Sequence, residues 1–295
     1  MRCRIISGPS AEYPKALSEI PDPPRRLYLR GRALGNAPAI AIVGTRRATS
    51  YGLEVAAWLA GGLSEAGLTV VSGMAKGIDA AAHRGALDAG GATVAVLGCG
   101  LDRCYPACNR GLRKRLLECG TLVSEHEPGT PPLGFHFPIR NRIIVGMTMA
   151  VVLVEAPPSG GAMITARLAG EFGRELFAVP GPIHSVPSLG PHLMLRQGAR
   201  LAWTADQILG DLGVLHNPPA AQDSPKLPPD EQRVMDALDA HPMLLEKVAG
   251  KARMPASTTT AVLVRLEMGG LAARHPGGRY ARAVGSPGME TATGN

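Results

Sequence analysis

The 295-residue sequence is poor in aromatic residues, which make up 4% of it, and it has no long apolar run. The longest apolar stretch, residues 143–154, is interrupted by Gly146 and Thr148 and is too short to cross a bilayer as a helix. No N-terminal stretch has the apolar core of a signal peptide, and the five cysteines are an odd number. A disulfide framework is therefore not expected, and the protein is predicted to be cytoplasmic.

The net charge of +7 is unevenly distributed along the sequence. Up to Leu215 there are 22 Lys and Arg residues against 16 Asp and Glu residues, whereas from His216 onward the counts are 9 and 8. The basic surplus therefore belongs to the longer N-terminal part, which is where a polyanion would bind. A surplus of this size is common in globular proteins, so the charge alone does not show whether the protein binds a polyanion, and the motifs must answer that question.

From Ala39 onward, short apolar runs alternate with glycine-containing turns and helical patterns. This rhythm predicts an α/β fold, an extended Rossmann-like domain with a parallel sheet. The predicted strands are residues 39–43, 68–71, 93–97, 122–124, 150–154, 176–179 and 200–203. The predicted helices are residues 51–66, 78–89, 109–119, 138–147, 163–172 and 205–212.

Proline-rich stretches and a change of pattern divide the chain. In order, we predict an extended segment packed on the sheet (1–37), a Rossmann-like domain (38–213), a linker (214–229), a small winged-helix domain (230–282) and a disordered tail (283–295). The small domain reads as three helices, the third capped by Ser257, followed by a hairpin around Gly277 and Gly278. Its balanced charge leaves DNA contact, protein contact and a purely structural role open.

Glycines, hydroxyl groups and cations follow several predicted strands. The carboxyl ends of parallel strands meet at one sheet edge, where glycine turns and helix N-termini bind phosphate. One such turn alone is more often just a tight connection, but several favour a phosphate-bearing ligand. The candidates are Gly44, Thr45, Arg46, Ser72, Gly73, Lys76, Ser159 and Gly160. The glycine patterns of a dinucleotide site and of a Walker A loop are absent, and no cofactor is predicted.

Two of the four Phe residues lie beside two Arg residues in segment 135–142. Flat rings next to guanidinium groups suit single-stranded nucleic acid, because bases stack and phosphates pair with Arg. The alternative is one core Phe with ion-paired Arg residues. The candidate ligand-binding residues are Phe137, Arg140, Asn141 and Arg142.

Two other groupings were weighed as catalytic or metal sites. The spacing of Cys99, Cys104 and Cys108 is one residue off an iron–sulfur pattern, and the predicted elements hold them apart, so no metal is expected. Asp79 and His83 lie four residues apart on one helix and could act as acid and base. Interaction of Asp79 with the helix N-terminus and packing of His83 is the favoured interpretation.

Five motifs together resemble the DprA/Smf family of bacterial DNA-processing proteins: residues 41–46, 72–83, 95–98, 137–144 and 164–167, read as AIVGTR, SGMAKGIDAAAH, AVLG, FPIRNRII and ITAR. The resemblance implies a homodimer that binds single-stranded DNA and loads the RecA recombinase during natural transformation, without catalysis. Single-strand-binding protein would be a further partner. The resemblance also implies a DNA pocket lined by Arg46, Asn109 or Arg110, Phe137, Arg140 and Arg142, with Lys76 close by.

The sequence departs from the family pattern at three places. Thr45 replaces the usual Ser and keeps the hydroxyl, and the turn at residues 159–163 is one residue longer than usual. His136 stands where many members carry a basic residue before the Phe, so the expectation is either a lower DNA affinity or compensation by Arg103 and Arg110. The helical N-terminal domain that is frequent in the family is expected to be missing. Dimer contacts are predicted at Ile208, Leu209 and Leu212 from their apolar spacing.

An alternative function is a nucleotide phosphoribohydrolase of the Rossmann type. Residues 158–161 read Pro-Ser-Gly-Gly, which is superficially similar to the Pro-Gly-Gly turn of those enzymes. The Thr-x-x-Glu that should follow is absent, which leaves no general base for hydrolysis.

Overall fold

The computed structural model describes residues 3–8, 10–214, 227–239 and 242–283. The chain divides into two compact units, Met1–Asn217 and Pro218–Asn295, here named the sheet unit and the winged-helix unit. Most of the predicted linker, and the predicted tail beyond Ala283, lie outside the described residues. No helix among the described residues is both long and apolar enough to span a membrane.

The sheet unit alternates strands and helices from Ala39 onward. Its elements in chain order are β1 (Arg4–Ser7), α1 (Lys15–Ser18), β2 (Arg26–Gly31), β3 (Ala39–Val43), α2 (Ser50–Glu65), β4 (Thr69–Ser72), α3 (Ile78–Asp88), β5 (Thr93–Leu97), α4 (Arg110–Cys119), β6 (Thr121–Ser124), α5 (His136–Gly146), β7 (Ala150–Leu153), α6 (Gly161–Glu171), β8 (Glu175–Ala178), α7 (Leu189–Arg196), β9 (Arg200–Leu201) and α8 (Ala205–Asp211).

The described strands of this unit form one nine-stranded sheet in the order β1-β2-β6-β5-β4-β3-β7-β8-β9. Strands β3 to β9 pair in parallel with one another, whereas β1 and β2 are antiparallel. From β3 the chain builds outward to β6 and then returns to place β7 on the other side of β3. The strand order thus reverses between β3 and β7, which is where ligands bind in sheets of this kind. The predicted Rossmann-like fold is confirmed.

Helices cover both faces of the sheet, which explains why its central strands are almost uniformly apolar. Successive side chains of β3 enter two different cores, with Ile42 on the side of α2, α3 and α8 and Val43 on the side of α5 and α6. Both side chains are buried. Helix α4 packs on the same side as α3, through Leu112 and Leu116.

The N-terminal segment is more regular than predicted. Instead of lying extended on the sheet, it adds β1 and β2, and β2 pairs with β6. Leu17 of α1 is fully buried against α5. Helix α7 was also missed; its Pro191 lies in the first turn, where the absent N–H leaves no helical hydrogen bond unmade.

The predicted dimer contacts at the last helix of the sheet unit need correction. Ile208 and Leu209 are 0% and 2% exposed and belong to the core between α8, α2 and the sheet. Leu212 is partly buried against the same core. Their apolar spacing therefore reflects packing inside the unit, and the first two side chains are not available to a partner.

The winged-helix unit has the predicted order of helices and hairpin. Its described elements are α9 (Pro229–Ala237), β10 (Met243–Leu244), α10 (Leu245–Ala252), α11 (Ala256–Met268), β11 (Ala272–His275) and β12 (Arg279–Arg282), and the strands pair as β10-β12-β11. Both Gly277 and Gly278 in the hairpin turn have positive φ, which favours glycine there. Ser257 is not the helix cap, because α11 already begins at Ala256 after Pro255.

Candidate functional site

A cleft of about 610 Å³ opens at the carboxyl ends of the parallel strands, on both sides of the point where strand order reverses. A smaller chamber of about 250 Å³ adjoins it on the side of β4. The two chambers share the side chains of Arg46, Tyr105, Phe137 and Arg140. Arg46 follows β3, Tyr105 follows β5, and Phe137 and Arg140 follow β6. Because the carboxyl ends of parallel strands meet at one edge of the sheet, the four side chains lie together there.

The loop that carries Arg46 is held from below by Glu155, which follows β7. The Thr45 amide donates to the Glu155 carbonyl oxygen at 2.6 Å. The buried Glu155 carboxylate accepts from the Thr49 amide at 2.9 Å and from its hydroxyl at 2.5 Å. Thr49 in turn caps α2 by accepting from the Gly52 amide. Both ends of the loop are thus fixed while Arg46 remains exposed.

Arg46, Phe137 and Tyr105 form a stack on the wall between the chambers. The Arg46 Cζ atom lies 5.2 Å from the centroid of the Phe137 ring, which is cation–π distance. The Phe137 and Tyr105 ring centroids are 5.3 Å apart. A Cβ at Gly98 would approach the Phe137 ring to 3.0 Å, so glycine there leaves room for the ring. The result is a partly exposed aromatic platform with a guanidinium above it.

Arg140 forms the buried floor of the cleft. Its Nη1 donates to the carbonyl oxygens of Gly73, at 2.9 Å, and Val96. Burial lowers the pKa of Arg140 to about 10, although the nearby Asp79 carboxylate works in the opposite direction. Burial also raises the pKa of Asp79, an effect that Arg140 partly offsets. Arg140 therefore stays charged at neutral pH and gives the floor a positive potential.

Close contact between two turns brings Lys76 to the smaller chamber. Gly77 has φ +77°, and a Cβ there would lie 2.3 Å from the Thr45 carbonyl oxygen. Only glycine lets the turn after β4 approach the turn after β3 this closely. Exposed Lys76, one residue earlier, lines the smaller chamber together with Arg46.

The structure brings most of the sequence-predicted residues to one place. The predicted residues that line the two chambers are Gly44, Thr45, Arg46, Gly73, Lys76, Phe137, Arg140, Asn141 and Gly160. Residues that the prediction missed include Tyr105 on the platform and Glu155 beneath the loop. The scarcity of aromatic residues would have drawn attention to Tyr105, whereas nothing in the sequence distinguishes Glu155.

Three predicted site residues have partners within the protein instead. The buried Ser72 hydroxyl donates to the Ile42 carbonyl oxygen at 2.6 Å. The buried Asn109 amide donates to the carbonyl oxygens of Met74 and Ala75. Arg142 forms ion pairs with Glu125 at 2.7 Å and Asp22 at 3.1 Å, away from the cleft. These three side chains stabilise the turns and helices around the cleft and do not line either chamber.

The remaining predicted residues, Arg103, Arg110 and Ser159, are exposed but do not line either chamber. Arg103 lies 3.8 Å from Asp102 and donates to the Gly129 carbonyl oxygen. Among the described residues, no group of three or more His, Cys, Asp or Glu side chains could hold a metal ion.

Asp79 and His83 do not form an acid–base pair facing the cleft. Asp79 lines the cleft, but the fully buried His83 hydrogen-bonds Thr93 through Nδ1 at 2.7 Å. The Thr93 hydroxyl donates to the Val70 carbonyl oxygen, so His83 must donate from Nδ1 and keep a bare, unpartnered Nε2. Burial, with a contribution from Arg140, lowers the pKa of His83 to about 3. His83 is therefore neutral at physiological pH.

The buried neutral His83 predicts a pH-dependent stability. The unfolded chain takes up the proton near pH 6.5 and the folded chain only near pH 3, so this contribution is complete above pH 6.5 and is lost as the pH falls. Between these limits the loss is at most about 1.4 kcal/mol per pH unit. We expect His83→Gln to flatten the fall in the free energy of unfolding between about pH 6.5 and pH 5. Urea unfolding at several pH values measures this free energy for wild type and variant. Equal slopes of the free energy against pH would contradict the assignment of His83 as a buried, neutral residue.

Comparison with known proteins identifies the class. Residues 4–213 match the family described as DNA recombination-mediator protein A, and residues 218–278 match the DprA winged helix domain. Protein Smf of Escherichia coli K12 is 38% identical over 286 residues, covering 93% of this chain and 76% of that protein.

Two solved structures are similar to most of this chain. The X-ray structure of DNA processing protein A from Streptococcus pneumoniae is 40% identical, with a TM-score of 0.69, and the match covers 71% of this chain and 74% of that one. The protein of the same name from Helicobacter pylori, described for its single-stranded DNA binding mode, is 29% identical with a TM-score of 0.65 over 72% and 95%.

A Rossmann-like unit of this kind together with a winged-helix unit defines a DNA-processing protein of the recombination-mediator class. The chain belongs to the DprA/Smf family.

Proposed function

We propose that the cleft binds single-stranded DNA and that the protein delivers the bound strand to the RecA recombinase. The observation that carries the proposal is the stack of Arg46, Phe137 and Tyr105 above a buried cation, Arg140. A single strand exposes base faces, which stack on aromatic rings, and phosphates, which pair with guanidinium groups. A paired duplex hides its base faces and cannot use the platform.

The proposed contacts divide by chemistry. Phe137 and Tyr105 stack on bases, and Arg46 and Lys76 neutralise phosphates. The glycine turns at Gly44 and Gly160 let backbone N–H groups approach a phosphate. These contacts are to the backbone or to base faces, so they predict binding with little sequence preference.

We expect Glu155→Gln to weaken DNA binding although Glu155 does not touch the ligand. A glutamine has one acceptor oxygen where the carboxylate uses two, so one bond to Thr49 is lost and the Arg46 loop loosens. Loss of a hydrogen bond to a charged group, about 1.5 kcal/mol, corresponds to a roughly tenfold weaker affinity if all of it acts on the loop. Glu171→Gln, at an exposed position of α6, is the matched control. Fluorescence anisotropy should separate the two variants; equal affinities would argue against this role.

RecA delivery is the finer part of the proposal and needs its own test. We expect the protein to shorten the lag of RecA ATP hydrolysis on single strands coated with single-strand-binding protein, and the Arg46→Ala variant to lose this effect. An unchanged lag would contradict the proposed RecA loading even if the DNA binding holds.

We also propose that the protein works as a homodimer. Because Ile208 and Leu209 are buried, exposed apolar side chains on and before α7 are better candidates: Ile183, Val186, Leu189 and Leu193. Leu189 and Leu193 are four residues apart and share one helix face. Sedimentation velocity of Leu193→Arg against wild type tests this assignment.

Removing the winged-helix unit is expected to leave single-strand binding intact. The proposed contacts all lie in the sheet unit, which has its own cores. Truncation after Asn217 should therefore change the affinity for single strands by less than about threefold, or roughly 0.6 kcal/mol. Anisotropy measures it, and loss of binding would move the primary site to the winged-helix unit.

The proposed function involves no catalysis, and the phosphoribohydrolase alternative is not favoured. Among the described residues lining the cleft, Asp79 is the one carboxylate, and it is buried with a raised pKa. The glycine turn before α6 is followed by Ile164 and Thr165, with no nearby Glu to serve as a general base. Release of free base from nucleoside monophosphates would revive the alternative.

A further inference from the structure

Basic side chains continue from the cleft across the outer surface of α3 and α4. Arg84 on α3 and Arg110 and Lys114 on α4 are exposed. Arg110 and Lys114 are four residues apart, so they share one face of the helix and are separated by about 6 Å along its axis. Arg84, Arg110 and Lys114 are named the basic track, and Lys76 of the smaller chamber lies at its cleft end.

The three cations of the basic track are not used in the fold. Among the described residues, none of them forms an ion pair with a carboxylate. Two neighbouring arginines on α4 behave differently: Arg113 donates to the Leu101 carbonyl oxygen, and Arg115 pairs with Asp88 of α3 at 2.6 Å. The structure thus separates cations of α4 that bind other parts of the sheet unit from cations that face solvent.

The basic track is joined to the cleft through the start of α4. Asn109, just before α4, donates to the carbonyl oxygens of Met74 and Ala75. Ala75 lines both chambers, and Lys76 lines the smaller one. Arg110, the first residue of α4, therefore follows directly after a residue that is hydrogen-bonded to the wall of the smaller chamber, and we expect a strand that leaves the chamber on this side to reach α4.

The surface between the cations is open and carries no aromatic residue. A Cβ at Gly111 would meet nothing within 4 Å, so the surface of α4 next to Arg110 is open. Neither α3 nor α4 contains Phe, Tyr or Trp. Phosphates can be held there, but bases have no ring to stack on.

We propose that the basic track holds the backbone of single-stranded DNA beyond the cleft, as a second, phosphate-only subsite. This inference rests on the proposed function of the cleft. The cleft then grips bases and phosphates of a few nucleotides, and the track follows the emerging strand by charge alone. Arg110 and Lys114, about 6 Å apart along the axis of α4, can each hold a different phosphate of the same strand.

The test compares two lengths of oligothymidylate, about 5 and about 16 nucleotides, which span the ~4–16 nucleotides that known single-strand-binding folds cover. The variant is Arg84→Glu/Lys114→Glu. The matched control is Lys15→Glu/Arg167→Glu, which reverses two exposed charges on α1 and α6 at the opposite face of the sheet. Anisotropy is measured across a salt series, and thermal unfolding checks that all proteins are folded.

We expect the variant to bind the short oligonucleotide as wild type does and the long one about tenfold more weakly. Its salt slope on the long oligonucleotide should be shallower by about 1.4, from two phosphates at roughly 0.7 each. The control should match wild type on both. If the variant binds the long oligonucleotide as tightly as wild type does, the basic track does not hold DNA, and an acidic protein partner is left as its occupant. If the variant loses affinity equally for both lengths, the track is not a subsite separate from the cleft. If wild type binds neither oligonucleotide, the cleft function fails and the track with it.

Discussion

Replacing Arg46 and Phe137 together by alanine is expected to weaken single-strand binding at least about 100-fold. Stacking of one base on an aromatic side chain contributes ~1–3 kcal/mol, and a charged hydrogen bond to phosphate ~1.5–3 kcal/mol. Since about 1.4 kcal/mol is tenfold in affinity, the combined loss of ~2.5–6 kcal/mol corresponds to roughly two powers of ten or more. Fluorescence anisotropy with a labelled oligothymidylate measures the loss.

A matched control exists in the same part of the chain. Phe135 is 61% exposed and packs its edge on His136, and Arg103 is exposed beside Asp102; neither lines a chamber. Phe135→Ala/Arg103→Ala removes the same two residue types and should bind within about threefold of wild type, which is roughly 0.6 kcal/mol. If the two double variants lose affinity equally, the platform is not the binding site.

Arg140→Met is expected to lower the free energy of unfolding by ~3–5 kcal/mol, the usual cost of removing one of two opposite charges that share a buried space. The guanidinium is 4% exposed and satisfies the carbonyl oxygens of Gly73 and Val96. Without it, these oxygens lose a donor and the Asp79 carboxylate loses the positive charge that offsets its burial. Urea unfolding at neutral pH measures the difference.

Two comparisons identify the cause of that loss. Arg47→Met removes an exposed arginine on the cleft rim and should change stability by no more than about 0.5 kcal/mol. The double variant Arg140→Met/Asp79→Asn should recover part of the loss, because no charge is then left buried. The Arg140→Met loss should also shrink at lower pH, where Asp79, whose pKa is already raised, becomes protonated. A loss under about 1 kcal/mol would contradict the structural role of Arg140.

The central sheet was predictable because its strands are buried on both faces and therefore read as short apolar runs bounded by glycine. β3 and β5 begin and end at the predicted residues. β1 and β2 escaped prediction because they lie at the antiparallel edge, where Arg4, Arg26 and Arg30 interrupt the apolar residues and the prolines before β2 suggest an irregular segment.

The composition of the cleft was predictable and the roles of its neighbours were not. Glycine, hydroxyl and cationic residues after parallel strands meet by topology, so Thr45, Arg46 and Phe137 could be grouped from the sequence. Ser72 ends β4 and Asn109 precedes α4, so both lie near the same sheet edge. Whether a polar side chain there faces a ligand or a backbone carbonyl depends on the local path of the chain. Arg142 is two residues, or about half a helical turn, from Arg140. Its side chain therefore lies on the opposite side of the helix and pairs with Glu125 instead of lining the cleft.

The most direct test is the affinity of the intact protein for single-stranded and duplex oligonucleotides of equal length across a salt series. The cleft account predicts a clear preference for the single strand. If about four phosphates are neutralised, the slope of log K against log salt should be near −3, from roughly −0.7 per phosphate. Equal binding to duplex, or no binding at low salt, would contradict the assignment of the cleft as a single-strand site.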